Sequence, residues 1–560
     1  PELNNILALA DSLNIAQFLA ELLIQRGVTN FHEAKEYFRP SLDTLHDPFL
    51  MDGMEIASTR VIKAIVDGEK ITVYGDYDVD GTCAAALMYM FLKEFNADVD
   101  VYIPNRLTDG YGISRYAIDI IKEKNTSLII TVDCGITAID EVDYANSLGI
   151  ETIICDHHKS KDSIPNAIAV LDPIKPGDNY PFKFLSGAGV AFKLARAVGA
   201  KIGKKDSPLK YLDLVAIAAA ADIVSLTGEN RVLARKGLEL INTNPRPGIK
   251  ALIEAARMDT GDLSAGQIVF SIAPRINAVG RMGEAYRAVE LFITDDAEKA
   301  KGFAGILESE NKERRKIDEA TFTHALEKAF QYTDFENDNG IVLHDDNWHS
   351  GVIGIVASRM VEKFYRPSVI LSTIDGVAKG SARSVAGINV YEVLQQCEDL
   401  LIQYGGHEAA AGLAIEIVNI PEFRKRFNSI LKTTLEEKSA TPEIHIDNII
   451  AFSEITQKSI RILEQFAPFG PGNMRPIFQT NEVRVINAPR LVGAGGKHLV
   501  MYLKQDSCDK CFDSIGFNLG EYYSKLNDQS LIDIVYSIEK IVKEGRVYPQ
   551  LRIKDLRINE

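Results

Sequence analysis

Ile71-Thr72-Val73-Tyr74-Gly75-Asp76-Tyr77-Asp78-Val79-Asp80-Gly81 is the stretch whose reading decides the fold. Its first half is apolar and β-branched, the composition of a buried strand. Its second half places three carboxylates within five residues, and 82–93, rich in Ala, Leu and Met, reads as the helix that follows. Alternate residues of an extended segment project the same way, so Asp76, Asp78 and Asp80 are expected to converge on one point. Anions bunched in this way repel one another unless a cation sits between them. A divalent metal is the simplest candidate.

The same pattern recurs outward from this stretch. Apolar runs at 128–132, 152–155 and 168–171 read as further strands, with helices at 114–124 and 139–147 between them. Continuous apolar strands alternating with helices indicate a parallel, doubly wound sheet. Each strand ends at or just before an acid: Asp76, Asp133, Asp156 and Asp172. Ligands of such sheets bind outside the carboxyl ends of the strands. A lone acid there is usually a cap or turn residue, but Asp156 is followed directly by His157 and His158. Imidazole nitrogen mixed with carboxylate oxygen suits Mn²⁺, Mg²⁺ or Fe²⁺ better than a structural zinc. Asp222 closes the apolar helix 214–221 in a context that suggests burial, where an unpaired carboxylate is costly.

The 560 residues are too many for one core and suggest three or four domains. Lys and Arg number 62 against 78 Asp and Glu, a net charge of -16. That balance argues mildly against a nucleic-acid partner, although a local basic groove is compatible with it and a site built of acids contributes to the sum. Six scattered Cys indicate a reducing compartment. Cys508 and Cys511 form a lone CxxC, read as an incidental pair in a hairpin loop because no matching ligand pair lies nearby. No apolar run approaches the length of a membrane span, and the N-terminus reads as neither a signal nor a transit peptide. Cytoplasmic residence is the expectation.

Residues 1–65 read as a small helical cap. A long polar helix from about Asp296 to Tyr332, within a connecting segment at 286–335, reads as a solvated bridge. A second α/β pattern spans 336–440, with strands at 341–343 and 368–371, a helix at 353–364, and another helix running to about 401. It contains Ser381-Ala382-Arg383 and Gly405-Gly406-His407, where glycines allow close approach of a phosphate beside cationic or hydrogen-bonding groups. Residues 441–560 alternate as short strands separated by turns, the pattern of a small barrel. Lys497, Lys540, Lys543, Arg546 and Arg552 are candidates to face a nucleic-acid strand.

Asp-Tyr-Asp-Val-Asp-Gly at 76–81, Asp-Cys-Gly at 133–135, Asp-His-His at 156–158 and the acid at 222 resemble the four motifs of the DHH phosphoesterase superfamily. Ala-Pro-Arg-Ile-Asn-Ala-Val-Gly-Arg-Met at 273–282, Pro-Asn-Arg-Leu at 104–107 and Gly-Tyr-Gly at 110–112 resemble signatures of its RecJ family of bacterial single-strand exonucleases. The resemblance implies a DHH catalytic domain at 66–285, a DHH-associated substrate-binding domain at 336–440 that carries the Gly-Gly-His motif, and an OB-fold at 441–560. It implies 5′→3′ hydrolysis of single-stranded DNA to mononucleotides by a two-metal mechanism with Mn²⁺ or Mg²⁺, in DNA repair and recombination. By the same resemblance Asp133 bridges the metals, Asp80, His157 and Asp222 hold one, Asp78 with Asp76 holds the other, and His158 contacts the phosphate or positions a metal. Relatives often place a histidine four residues before the acid matching Asp78; Tyr74 stands there, so Asp76 is expected to substitute. Arg275, Asn277 and Arg281 are implied to neutralise phosphates, Ser381, Arg383, Gly406 and His407 to hold the strand, and Arg106 and Tyr111 to meet its 5′ end. A single-strand-binding protein and a helicase are implied partners, and the expected state is a monomer. Two other classes stay open on the residues alone: a small-molecule phosphoesterase with the same metals, and a non-catalytic nucleic-acid scaffold.

Overall fold

A computed structural model describes residues 2–105, 112–282, 284–437, 442–543 and 546–559. The first sheet contains β1 (Ile71–Gly75), β2 (Val99–Tyr102), β3 (Leu128–Val132), β4 (Glu151–Cys155) and β5 (Ala169–Leu171), in the order β2-β1-β3-β4-β5. All its pairings are parallel. The order reverses between β1 and β3, which opens a crevice at their carboxyl ends. The Val79–Lys93 helix is apolar on nearly every side and is buried among the sheet and the Gly187–Lys201 and Leu212–Ala221 helices. Its burial fixes the acidic turn at its head to the rigid centre of the domain. The strand β2 escaped the sequence reading because Val99-Asp-Val-Tyr carries only two apolar positions on its buried face.

The Ala297–Tyr332 helix, capped by the Asp296 side chain, leads to the second sheet. This sheet comprises β6 (Ile341–Asp345), β7 (Ser368–Ile374), β8 (Val377–Arg383), β9 (Leu401–Gly406) and β10 (Ala410–Ile415), in the order β6-β7-β8-β10-β9. Only β6 and β7 run parallel; the rest is antiparallel. The helix expected to run to 401 is confined to Val390–Gln395, because the chain must return as β9. Gly405 and Gly406 therefore end a strand instead of capping a helix.

The last module contains β11 (Asn448–Ile449), β12 (Phe478–Val492), β13 (His498–Gln505), β14 (Cys511–Gly516), β15 (Leu531–Lys543) and β16 (Arg546–Ile558). Pairing of β12 with β15 closes β12-β13-β14-β16-β15 into a five-stranded barrel. Cys508 and Cys511 are free thiols at the β13–β14 hairpin. The helices Leu3–Leu13, Gln17–Gln25 and Phe31–Phe38 share one apolar core with this barrel, with Phe18 set edge-on against Phe478. The Met54–Asp67 helix instead packs on the first sheet's core. Among the described residues no single helix is long and apolar enough to cross a membrane.

Candidate active site

Beyond β1 the chain does not continue extended, as expected for Asp76, Asp78 and Asp80, but turns sharply into a helix. Asp76 accepts from the Tyr77 N–H at 2.8 Å, and Asp78 is the N-cap, its Oδ1 accepting from Gly81 N at 3.0 Å. Asp80 lies in the first helical turn. The turn brings the three acids together by capping geometry and not by strand alternation. Asp80 is buried against the N-terminus of the Gly187–Lys201 helix, where the N–H groups of Gly187 and Ala188 donate to its two oxygens at 2.7 Å each. An anion at a helix N-terminus is favourably placed.

Asp133 follows β3 in a left-handed conformation (φ 63°), which Asp tolerates better than most residues. Its N–H donates to Cys155 O at 2.8 Å, so the residue is tied to β4. His157 Nε2 stands 3.1 Å from Asp133 Oδ1, 3.5 Å from Asp222 Oδ2 and 3.8 Å from Asp80 Oδ2. Ligand atoms of Asp76, Asp78 and Asp133 lie within 4.8 Å of one another, as do those of Asp80, His157 and Asp222, and those of Asp133, His157 and His158. Asp222, at the end of the Leu212–Ala221 helix, is largely but not fully buried, a quarter of its side chain staying exposed. Tyr74 is turned away from the acids, stacked on Tyr102 with its hydroxyl donating to Gly112 O. Asp172 is buried at the end of β5, and burial pushes its carboxyl up to about 7.

The electrostatics follow from this crowding. Burial and the charge of Asp78 push Asp80 up to about 7, and burial with the charges of Asp80 and Asp78 pushes Asp222 up to about 8. Burial and four neighbouring acids raise Asp133 well above the carboxylate range. Burial and the adjacent His158 bring His157 down to about 4, leaving a neutral imidazole. Burial opposes charge on His158 too, but its Nδ1 lies 2.7 Å from Asp156 Oδ1 and that partner raises it to about 9. Asp156 itself works against burial; His158 and the N–H of Ile136 hold it below the usual range, and it also accepts from His157 N. Asp156 thus orients the His158 imidazole and ties down the backbone at His157.

The donor set fits cations. Asp133 Oδ1 and His157 Nε2 are both buried with no hydrogen-bond partner, and such orphaned atoms are expensive unless something binds them. Neutral imidazole among carboxylates is what a Mn²⁺ or Mg²⁺ site requires. A pH dependence follows. Asp80, Asp222 and His158 all have folded pKa values above their unfolded ones, so the stability each contributes at low pH is lost as pH rises from the unfolded to the folded value: from 3.8 to about 7 for Asp80, from 3.8 to about 8 for Asp222 and from 6.5 to about 9 for His158. Metal-free protein is expected to melt progressively lower across that range. Mn²⁺ displaces the carboxyl protons of Asp80 and Asp222, so the gain in melting temperature on adding it should grow with pH. Scanning fluorimetry in EDTA and in Mn²⁺ checks this, and a metal-induced gain that shrinks with pH would contradict it.

The remaining candidates divide. Gly280 packs directly on the acid turn, where any Cβ would overlap Tyr77 O. Arg281, the next residue, donates to Gly351 O at 3.0 Å and so reaches across to the second sheet's module. Gly351 immediately precedes the Ile353–Phe364 helix, and a Cβ on Gly354 would stand 3.1 Å from Arg383 Nη2 and 3.2 Å from Ser381 Oγ. Arg383 Nη1 donates to Ser381 Oγ at 2.7 Å. Register pairs Arg383 with Ala410 and Gly406 with Ala411, so His407, in the β9–β10 hairpin, falls on the same edge. Ser381 and Arg383 are thus in contact, Gly406 and His407 lie at the same edge of the sheet, and Arg281 reaches this module at Gly351. Arg275 is buried, with Nε 2.7 Å from Glu308 on the long helix and Nη1 donating to Ser271 O. Its guanidinium braces the helix–helix contact. Asn277 is half-buried on the same Ala273–Met282 helix. Arg106 and Tyr111 lie outside the described residues. On the barrel, Lys540 pairs with Glu464 and Arg552 with Glu539, Lys497 is exposed, and the side chains of Lys543 and Arg546 are outside the described set.

Sequence reasoning missed Gly187 and Ala188, the donors to Asp80. The only signal was Ser186-Gly-Ala-Gly opening an apolar helix, a pattern that caps many helices.

Residues 70–219 match the model of the DHH family N-terminal domain, 337–433 the DHHA1 domain and 446–555 the RecJ OB domain. The chain is 38% identical to the single-stranded-DNA-specific exonuclease RecJ of Bacillus subtilis, over 100% of this chain and 70% of that protein. It is 31% identical to the RecJ of Escherichia coli K12, over 93% of this chain and 92% of that one. The solved structure of RecJ in complex with Mn²⁺ from Thermus thermophilus superposes with a TM-score of 0.85 at 30% identity, covering 100% of this chain and 78% of that chain.

Proposed function

The chain belongs to the RecJ family, and from that premise we propose that it is a metal-dependent exonuclease that hydrolyses single-stranded DNA from the 5′ end to mononucleotides. The observation that carries the reading is the buried pair Asp133 Oδ1 and His157 Nε2, each without a hydrogen-bond partner, at the meeting point of Asp76, Asp78, Asp80 and Asp222. Two divalent ions held there, Mn²⁺ or Mg²⁺, would supply a nucleophile from water at neutral pH and neutralise charge on the attacking and leaving oxygens.

The chain's own residues do the rest. Asp133, common to two of the candidate groups, would be the shared ligand; Asp80, His157 and Asp222 would hold one ion, Asp76 and Asp78 the other. The Gly187–Lys201 helix N-terminus holds Asp80 in place. His158, kept protonated by Asp156, donates to a phosphate oxygen as negative charge develops. Arg281, Ser381, Arg383 and His407 hold the phosphates across the cleft, with Gly406 giving the backbone room. Asn277 lies beside them, and Arg106 and Tyr111 complete the 5′ end. The barrel presents a single-strand-binding surface. A helicase and a single-strand-binding protein as suppliers of the strand, a monomeric state, a place in the cytoplasm and a role in repair and recombination belong to the same reading, as does the division at 66–285, 336–440 and 441–560.

The test uses long 5′-phosphorylated single-stranded DNA labelled at either end, with Mn²⁺ or EDTA. Ordered release of mononucleotides from the 5′ end, only with metal, supports the proposal; an intact strand beside rapid cleavage of a dinucleotide moves the substrate to small molecules, and binding without cleavage makes the chain a scaffold. Arg383→Ala is expected to raise KM for the 5′-phosphorylated strand by about 10- to 100-fold, the range of a lost charge-assisted contact. The loss should be of similar size for a 5′-hydroxyl strand, because Arg383 is assigned to the strand and not to its 5′ end; an unchanged KM would remove Arg383 from the strand's grip.

A further inference from the structure

Asp222 ends its helix, and the next residue, Ile223, is held at φ 59° with 64% of its surface exposed. A β-branched residue in that region is strained, and it persists only where the surroundings over-determine it. The surroundings come mainly from the far end of the chain. Leu226 N donates to Pro471 O at 2.7 Å, in the 468–473 loop that leads into the barrel. Gly472 of that loop sits at φ 71°, and a Cβ there would overlap Ser225 Oγ and come within 2.9 Å of Thr227 Cγ2; one on Gly470 would come within 2.6 Å of Leu226 Cδ1. Just beyond, Arg231 is buried with Nη1 donating to Phe466 O at 2.8 Å and Nη2 to Gln465 O at 3.2 Å, both in the barrel's module. From the catalytic module itself, Asn230 donates to Ser225 O at 3.0 Å.

We propose that the 468–473 loop is a positioning element of the metal centre: by clamping residues 225–227 it sets the carboxylate of Asp222, so that occupancy of the Asp80–His157–Asp222 set depends on docking of the barrel's module. The proposal rests on Asp222 as a metal ligand. A barrel serving only as a binding platform for DNA would need no contact with this strap.

The full-length chain and Mn²⁺ alone test it, by calorimetric or paramagnetic titration. Gly472→Ala is compared with Gly495→Ala, another barrel-module glycine at positive φ (70°) whose added Cβ meets nothing within 4 Å. Both carry the same backbone penalty, and only the first pushes the strap. Gly472→Ala is expected to weaken one of the two Mn²⁺ binding events at least ten-fold and leave the other unchanged, while Gly495→Ala changes neither. Adding Ser225→Ala and Thr227→Ser, which removes the two atoms overlapped, should restore the weakened event. If Gly472→Ala does not fold, as judged by melting in EDTA, Gly470→Ala applies a milder push to Leu226 and is read by the same criterion. Wild-type Mn²⁺ binding in the folded strap variant, or equal weakening of both events, overturns the proposal. Asp222→Asn separates the premise: if it leaves both events intact, the ligand assignment fails; if it removes one event and the strap variant removes none, the coupling alone fails.

Discussion

Asp133→Asn is expected to abolish exonuclease activity and, in EDTA, to raise the melting temperature. Asp133 is shared by two of the ligand groups, so losing its charge disables both at once; the expected fall in kcat/KM is at least about 10³-fold, the scale seen when one member of a catalytic unit is removed. The gain in stability has the opposite origin. In the metal-free protein the Asp133 carboxyl is buried and faces the charges of Asp80, Asp78, Asp76 and Asp222, which is why its pKa is raised so far. An amide keeps the shape, removes the repulsion and tolerates the left-handed backbone at φ 63° as Ala would not. With Mn²⁺ present the order should reverse, because the wild type gains binding energy that the variant cannot. Gel assays on labelled strands and paired melts in EDTA and Mn²⁺ read both effects. A variant that retains activity, or that melts lower than wild type in EDTA, would remove Asp133 from the centre of the site.

The candidate ligand atoms were legible because their chemistry is local. Asp76, Asp78, Asp80, Asp133, His157 and Asp222 each sit at the end of an apolar element, and a parallel sheet gathers such ends on one edge. What could not be read is how the groups are held. The extended geometry expected of 76–80 is replaced by an N-cap, because Asp78 satisfies Gly81 N and the helix begins three residues earlier than its apolar run suggests. Arg275 shares a motif with Arg281, yet at a separation of six residues the two lie on different faces of one helix, one against Glu308 and the other at the cleft. The pairing that sets Arg383 and the Gly406-His407 hairpin at one edge of the sheet joins segments that are separately ambiguous, since Lys379-Gly-Ser-Ala-Arg has little β-branched character. The union of the two chain ends in one core has no local signal at all: Phe18 and Phe478 are ordinary apolar residues until the fold sets them together.

Gly187→Ala tests the part of the site that motif reading passes over. Gly187 opens its helix, and in a helix Ala is favoured over Gly by about 1 kcal/mol. On propensity alone the change would be neutral or stabilising. The site predicts the reverse for activity, because the new Cβ would lie 2.5 Å from Asp133 Cβ, 2.6 Å from its Oδ1 and 2.8 Å from its Cα. Carbon atoms need roughly 3.5–4.0 Å, so either Asp133 or the helix N-terminus must retreat by about 1 Å. Retreat of the helix also withdraws the two N–H groups that bind Asp80. Misplacement on that scale costs about 10²-fold in rate. The loss should fall on kcat, since the proposed strand-holding residues Ser381, Arg383 and His407 belong to the second sheet's module, and KM for single-stranded DNA should move little. Gly189→Ala is the matched control: it lies one residue past Ala188 in the same helix, and its Cβ would meet only Leu185 and Ser186 side-chain atoms at 3.3 Å or more. A Gly187→Ala enzyme with wild-type kcat would mean that the site accommodates the shift and that the close approach of this helix to Asp133 is packing without catalytic consequence. A loss shared equally with Gly189→Ala would assign the effect to the helix as a whole and not to its contact with Asp133.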